Sequence, residues 1–314
     1  MKWQPVALPF RNSSLPPDLP PLPTADEART CPNVLWDRRS KVVAVNDRIV
    51  VKFGKLANPW EGQALVYLEQ HVPDIPAPRL YAMYHDSNQF FLVMQHVPGV
   101  SLDKIWPSLT MSQKDEITAK LQHIFGTMRQ AGSPWPNTFF GSLDGGPVHH
   151  YLFWSMTDGR HLGPFDTEDA FVAGLTTNYR LACARKGWPD YKARYYETYL
   201  PHVLRGHRPT LTHGDVQPKN IVVVEKGTDA RGEQLFDVVL VDWIGNLLPG
   251  VLTSGRCFVR LPRPCSSRGV WEDDWCWRIH EFFGSVVWPA EVSMMRLMDK
   301  DWLLMNNFVL WRRT

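Results

Sequence analysis

From residue 42 onward the apolar positions fall into short blocks separated by polar turns. Val42–Val45 and Ile49–Phe53 flank Asn46, Asp47 and Arg48, which predicts a β-hairpin with Lys52 set among Val and Phe neighbours. The period then changes: from Glu61 the apolar residues return at Ala64, Leu65 and Leu68, the spacing of one helix face. After the rigid stretch Ile75-Pro76-Ala77-Pro78 come two more strand-like blocks, Leu80–Tyr84 and Phe90–Met94. The second runs through Gln95, His96 and Val97 into Pro98-Gly99, where Ser101 is placed to cap a helix. Beyond residue 102 the pattern is helical. Ser112 can cap a helix whose Ile117, Leu121, Ile124, Phe125 and Met128 form one core-facing stripe, ended by Pro134 and Pro136. Thr167 to Leu175 and Pro189 to Leu204 predict two further helices. Val222–Val224 and Val238–Val241 then flank turn residues between Gly227 and Gly232 and predict a second hairpin. Residues 249–269 carry no pattern that assigns an element, and Trp271 to Trp275 opens a last helix through Ile279 and Phe282.

Residues 1–23 hold seven prolines and predict an extended arm, followed by a short helix capped by Thr24 with Asp26 and Glu27 in its first turn. A length of 314 residues suggests about two domains. Apolar residues at 44% and charged residues at 21% describe a globular chain, and a net charge of +2 points to neither nucleic acid nor an anionic membrane as partner. The 5 cysteines are scattered and form no Cys-x-x-Cys pair, so reduced thiols are expected rather than zinc or a disulfide framework. The start lacks the apolar core of a signal peptide, and no run approaches the roughly 18 apolar residues of a membrane span. A cytoplasmic location is the expectation.

The second hairpin carries the chemistry. Asp215 and Asn220 stand at its entry and Asp242 at its exit, and two carboxylates with one amide suit a magnesium-phosphate site, because Mg²⁺ prefers hard oxygen ligands. The segment His213-Gly214-Asp215, with Asn220 five residues on and Asp242-Trp243 behind it, resembles the aminoglycoside phosphotransferase family, a small-molecule branch of the protein-kinase-like fold, in its fungal-type form. Gly214 and Trp243 stand where protein kinases carry Arg and Phe, which disfavours a protein substrate.

The resemblance extends over about residues 24–243. It implies an α+β, two-lobed kinase-like fold: a Pro-rich arm over 1–23, a small β-rich N-lobe over 24–94 and a larger, mainly helical C-lobe over 95–314. It further implies a phosphotransferase that uses ATP and Mg²⁺ on a hydroxyl of a small molecule. By that resemblance Asp215 accepts the hydroxyl proton, Asn220 and Asp242 hold the metal, and His213 braces the loop. Lys52, paired with Glu61, grips the α/β-phosphates, while Met94, Gln95, His96 and Val97 contact adenine. Two departures stand out. Val34 to Lys41 holds no glycine where a phosphate loop belongs, leaving backbone amides and Arg38, Arg39, Ser40 or Lys41 for that work, and after Trp243 the chain reads Ile244-Gly245-Asn246 rather than a prompt glutamate. A catalytically silent binding protein and a kinase fold turned to other chemistry on a metabolite therefore remain open. The acceptor and the oligomeric state are not specified.

Overall fold

The computed structural model describes residues 3–228, 232, 234–249, 274–282 and 289–310. The chain forms two compact units, one of Met1–Lys120 with Pro218–Trp243, the other of Leu121–Gln217 with Ile244–Thr314.

The first unit is built on a six-stranded antiparallel sheet of β1 (Phe10–Arg11), β2 (Val34–Asp37), β3 (Lys41–Ala44), β4 (Ile49–Gly54), β5 (Leu80–Asp86) and β6 (Gln89–Gln95), in spatial order β1-β5-β6-β4-β3-β2. The blocks at 42–53 and 80–94 supply β3 to β6 as their alternation requires; β1 and β2 are additional. Val43, Ile49, Val51, Phe53, Phe91 and Val93 form one core cluster with Ala28 of helix α1 (Ala25–Thr30). Thr24 and Glu27 close a reciprocal capping box at the start of α1. Helix α2 (Pro59–His71) begins with proline in its first turn and is buried from Glu61 through Leu68. It approaches the sheet closely enough that a Cβ on Gly62 would come within 2.5 Å of Met83 Sδ and 3.0 Å of Leu92, so any larger residue there would displace those buried side chains.

The proline-rich arm lies against this unit. Its Trp3 is buried edge-on to Tyr67 and His71, Phe10–Arg11 pairs with β5, and Leu15, Leu19 and Leu22 pack on the core cluster. Full burial of a large apolar side chain contributes about 1.5–3 kcal/mol and the partial burial of the three leucines less. This helps offset the cost of ordering a segment whose own backbone bonds are few, such as the Leu19 N–H to the Pro16 carbonyl at 3.0 Å. The second hairpin, Ile221–Thr228 with Gln234–Leu240, also belongs to the first unit, and Val222–Val223 adds the short strand Val100–Ser101 to its edge.

In the second unit a three-stranded sheet orders Pro209–Thr212, Asn246–Pro249 and Gly141–Ser142 side by side. Helices Glu168–Arg185, Tyr191–Val203 and Pro289–Leu310 share one core of Phe171, Leu175, Tyr179, Tyr196, Met298 and Trp302 among others. Thr167 caps the first of them through Ala170, as its sequence position foretold. Helix Met111–Gln130 starts earlier than the Ser112 cap would place it. Thr110 and Gln113 exchange bonds across the first turn, a reciprocal pair one residue ahead of the helix that leaves Ser112 inside it. Asn246–Pro249 is a strand where no element was assigned, and helix Trp275–Phe282 forms where one was expected; residues 250–273 lie outside the described residues. No helix among the described residues is long and apolar enough to cross a membrane.

Candidate active site

Lys52 organises the first unit's polar centre. It leaves the middle of β4, opposite Leu92 and Val42, with its ammonium 2.5 Å from Glu61 Oε2 of α2 and 2.5 Å from Asp242 Oδ1. Burial by itself would lower the lysine pKa, but the two carboxylates outweigh it and hold the ammonium above the ordinary lysine value. Glu61 is buried, and that desolvation pushes its carboxyl up to about 7 against the pull of Lys52, with the negative Asp242 pushing the same way. One cation is thus shared by two carboxylates, of which Glu61 is nearly enclosed and Asp242 is open to solvent over 43% of its side chain.

Asp242 and Asn220 occupy the same end of the second hairpin. Ile221 pairs with Leu240, Val241 N–H donates to the Asn220 carbonyl at 2.9 Å, and Asp242 follows directly. Asp242 has a φ of 63°, a left-handed conformation that aspartate tolerates better than most residues. The next residue explains how that bend is held: Trp243 is fully buried and its indole N–H donates to the Leu240 carbonyl at 2.8 Å. Two hard oxygen donors, a side-chain amide and a carboxylate, fit Mg²⁺. No group of three or more His, Cys, Asp or Glu among the described residues could hold a metal by protein alone.

Met94 is buried on β6 opposite Val50, and Gln95 ends that strand. The following backbone is partly committed: Gln95 N–H donates to the Arg79 carbonyl at 2.8 Å and His96 N–H to the Arg48 carbonyl at 2.9 Å. His96 Nδ1 also lies 3.0 Å from the Asn46 carbonyl. Val97 N–H makes no hydrogen bond among the described residues.

His213 and Asp215 belong to the second unit. His213 is buried; its Nδ1 accepts from Asp215 N–H at 3.3 Å, and its carbonyl accepts from Ile244 N–H at 3.0 Å. Gly214 between them has a φ of 85°, and a Cβ there would come within 2.8 Å of Ile244 Cβ. Glycine is therefore required twice over, for the left-handed turn and for the close approach. Gln217, which no sequence pattern singled out, donates its side-chain amide to Asp215 Oδ1. The structure thus brings Lys52, Glu61 and Asp242 into contact, sets Asn220 beside Asp242 on one hairpin, and joins His213 to Asp215 in the other unit.

The family model "Phosphotransferase enzyme family" (APH) matches residues 32–233, a stretch that contains Lys52, Glu61, Asp215 and Asn220 and stops before Asp242. Among solved structures, the chain is similar to the aminoglycoside phosphotransferase APH(4)-Ia, with 14% identity, a TM-score of 0.53 and 90% of each chain covered. A thermostable mutant of that enzyme, in ternary complex with ADP and hygromycin B, gives 14% identity and a TM-score of 0.54, again over 90% of each chain. The streptomycin–ATP–APH(2")-IIa ternary complex gives 12% identity and a TM-score of 0.52, covering 86% of this chain and 82% of that one. No curated protein matches. At these identities the structural likeness establishes the fold, which is protein-kinase-like and α+β.

Proposed function

The chain belongs to the phosphotransferase enzyme family, and from that premise we propose that it is a small-molecule kinase that moves the terminal phosphate of ATP to a hydroxyl group. The observation that carries this reading is Lys52 held between Glu61 and Asp242. A lysine kept protonated at the mouth of two carboxylates is a fixed positive charge, and phosphoryl transfer asks chiefly for positioned charge. ATP and ADP are named as bound in two of the similar structures, which supports nucleotide use here.

In this reading Lys52 binds the α/β-phosphates, with Glu61 fixing the direction of its ammonium. Val97 N–H donates to the adenine edge, because its neighbours' amides are already committed, and Met94 gives apolar contact below. Asn220 and Asp242 would hold Mg²⁺, which when bound neutralises charge on the phosphate oxygens. Asp215 accepts the proton of the acceptor hydroxyl as its oxygen bonds to the terminal phosphorus and the bond to the β-phosphate oxygen breaks, releasing ADP. Gln217 holds the Asp215 carboxylate through Oδ1, and His213 fixes the Asp215 backbone, so that the side chain is positioned for that task. The neighbouring enzymes were solved with aminoglycosides, so a polyhydroxylated, amine-bearing molecule is the acceptor class to test first.

A nucleotide-and-Mg²⁺ thermal shift tests the nucleotide half of the reading. At a hundredfold excess over Kd, binding adds about 2.7 kcal/mol to the parent protein, and Asp242→Ala abolishes the gain. A parent protein that does not respond to either ATP or GTP with Mg²⁺ would refute it. Product mass tests the transfer: an acceptor must gain one phosphate group. A second reading, nucleotide binding without transfer, draws on the β2–β3 connection, which has no glycine. Saturable nucleotide binding with no phosphorylated product across an aminoglycoside and polyol panel would favour it.

A further inference from the structure

The β2–β3 connection, where a phosphate loop belongs but no glycine stands, carries a concentration of charge to which the mechanism above gives no role. β2 is an edge strand on which Val34, Leu35, Trp36 and Asp37 are all exposed. Two cations gather on the Trp36 indole, the Arg38 guanidinium 5.3 Å and the Lys219 ammonium 5.6 Å from the ring centroid. Their separation therefore cannot exceed the sum of those two distances. Arg39 and Lys41 continue the same turn. Among the described residues, none of Arg38, Arg39, Lys41 and Lys219 pairs with a carboxylate. Each exposed cation–π contact is worth only about 0.5–1 kcal/mol. Such contacts gather two like charges on one ring without neutralising either, and a site of that kind is completed by an anion.

Register says which anion. β3 runs beside β4 with Val42 opposite Lys52 and Lys41 opposite Phe53, and the Cβ position of Gly54 is 3.5 Å from Ser40 Cα. The β2–β3 turn therefore lies at the Gly54 end of β4. The Gln95–Val97 segment lies at the other end, where Ile49 pairs with Gln95. Lys52 stands between them. A nucleotide with its base at Val97 and its α/β-phosphates at Lys52 directs its outer phosphate towards the turn. Lys219 approaches the same place from the second hairpin, one residue before Asn220.

We propose that Trp36, Arg38 and Lys219 form a side-chain clamp on the terminal phosphate of the bound nucleoside triphosphate, replacing the backbone amides of a glycine-rich turn. Trp36 is the platform that keeps the two cations together when the site is empty, and they are positioning residues rather than participants in bond making. The inference rests on the nucleotide reading given above.

The experiment is calorimetric titration of the full chain with a non-hydrolysable ATP analogue and with ADP, each with Mg²⁺, for the parent, Arg38→Ala, Lys219→Ala and Lys219→Arg. Loss of one charge-assisted contact should weaken the triphosphate about tenfold while ADP binding stays within about twofold. Lys219→Arg should restore most of the difference. Arg38 is exposed and Lys219 half-buried, and neither pairs with a carboxylate among the described residues, so the unliganded melting midpoint of each variant should stay close to the parent. A clamp merely structural in role would weaken both nucleotides together, and that outcome overturns the assignment. Unchanged binding of both nucleotides in both alanine variants overturns it too and leaves the kinase reading intact. A parent that binds neither nucleotide removes both.

Discussion

The two units hold the carboxylates of the candidate site by different means. In the first, Lys52, Glu61 and Asp242 come from a central strand, a buried helix and the end of a hairpin, and electrostatic attraction fixes their geometry. In the second, Asp215 sits on an irregular loop, held by a positive-φ glycine, a buried histidine and a neighbouring glutamine. The first arrangement depends on the balance of buried charge and the second on backbone shape. Substitutions in the first unit should therefore affect nucleotide affinity and stability together, whereas those in the second can remove chemistry while leaving both in place.

Asp215→Ala is the widest test of that separation. Removing the proposed general base should lower kcat by about 10²–10⁴-fold. Nucleotide affinity and melting temperature should stay close to the parent, because the lysine proposed to grip the nucleotide belongs to the other unit. If nucleotide affinity falls as steeply as kcat, Asp215 is serving the nucleotide and the contrast between the units breaks.

Lys52→Met should do the reverse. Loss of the shared cation leaves Glu61 buried beside Asp242 with no compensating charge, which costs about 3–5 kcal/mol for an enclosed pair. The exposure of Asp242 places the result towards the lower end. Nucleotide binding should disappear as well. A Lys52→Met/Glu61→Gln double variant sharpens the point: stability measured by urea unfolding should largely return, while nucleotide binding should not.

The sequence revealed the first arrangement more fully than the second, for a physical reason. Lys52 and Glu61 lie on elements whose periodicity is visible in the chain, and the Val-rich hairpin announces itself in the same way. β2 was invisible because all four of its residues are exposed, so no alternation marks it. The arm's contacts were equally hidden: Trp3, Leu15, Leu19 and Leu22 are scattered among prolines, and nothing local says that Trp3 is buried or that the leucines pack on the core. Thr110 lost to Ser112 as the expected cap because both are plausible caps, and only the Gln113 bond decides between them. Gln217 has no local signal, since its partner is fixed by the loop's conformation. Asp242 falls beyond the family match, yet its position is set by hairpin register and by Lys52.

The second unit has a buried carboxylate of its own, and it offers the opposite case to Glu61. Asp299 is 2% exposed, neither oxygen has a hydrogen-bond partner among the described residues, and burial pushes its carboxyl up to about 8. A folded-state pKa above the unfolded value means that the neutral acid favours the fold. That contribution is full below about pH 4, where both states are protonated. It is lost progressively as pH rises towards and through 8. Asp299→Asn keeps the shape and removes the ionisation, so it should be more stable than the parent by about 1–3 kcal/mol at pH 8 and nearly equal to it at pH 4. Melting temperatures at both pH values read the difference directly. A gain of the same size at both would mean that packing, not charge, is responsible.

The smallest expected effect tests whether shape also matters in the first unit. Trp243 fills core space and its indole N–H reaches the Leu240 carbonyl at 2.8 Å, across the residue that turns the chain at Asp242. Trp243→Phe preserves an aromatic ring and removes that bond, at a cost of about 0.5–1.5 kcal/mol in stability plus the volume lost. If charge alone places Asp242, its attraction to Lys52 should hold it, and nucleotide affinity should not change. If the left-handed turn must be pinned as well, the Mg²⁺-dependent part of nucleotide affinity should fall about threefold to tenfold, with the metal-free part unchanged. Titration of nucleotide with and without Mg²⁺ separates the two. The second outcome is the one expected. A φ of 63° is a costly conformation for a residue with a side chain, and a single half-exposed ion pair is too weak to maintain it without the anchored neighbour.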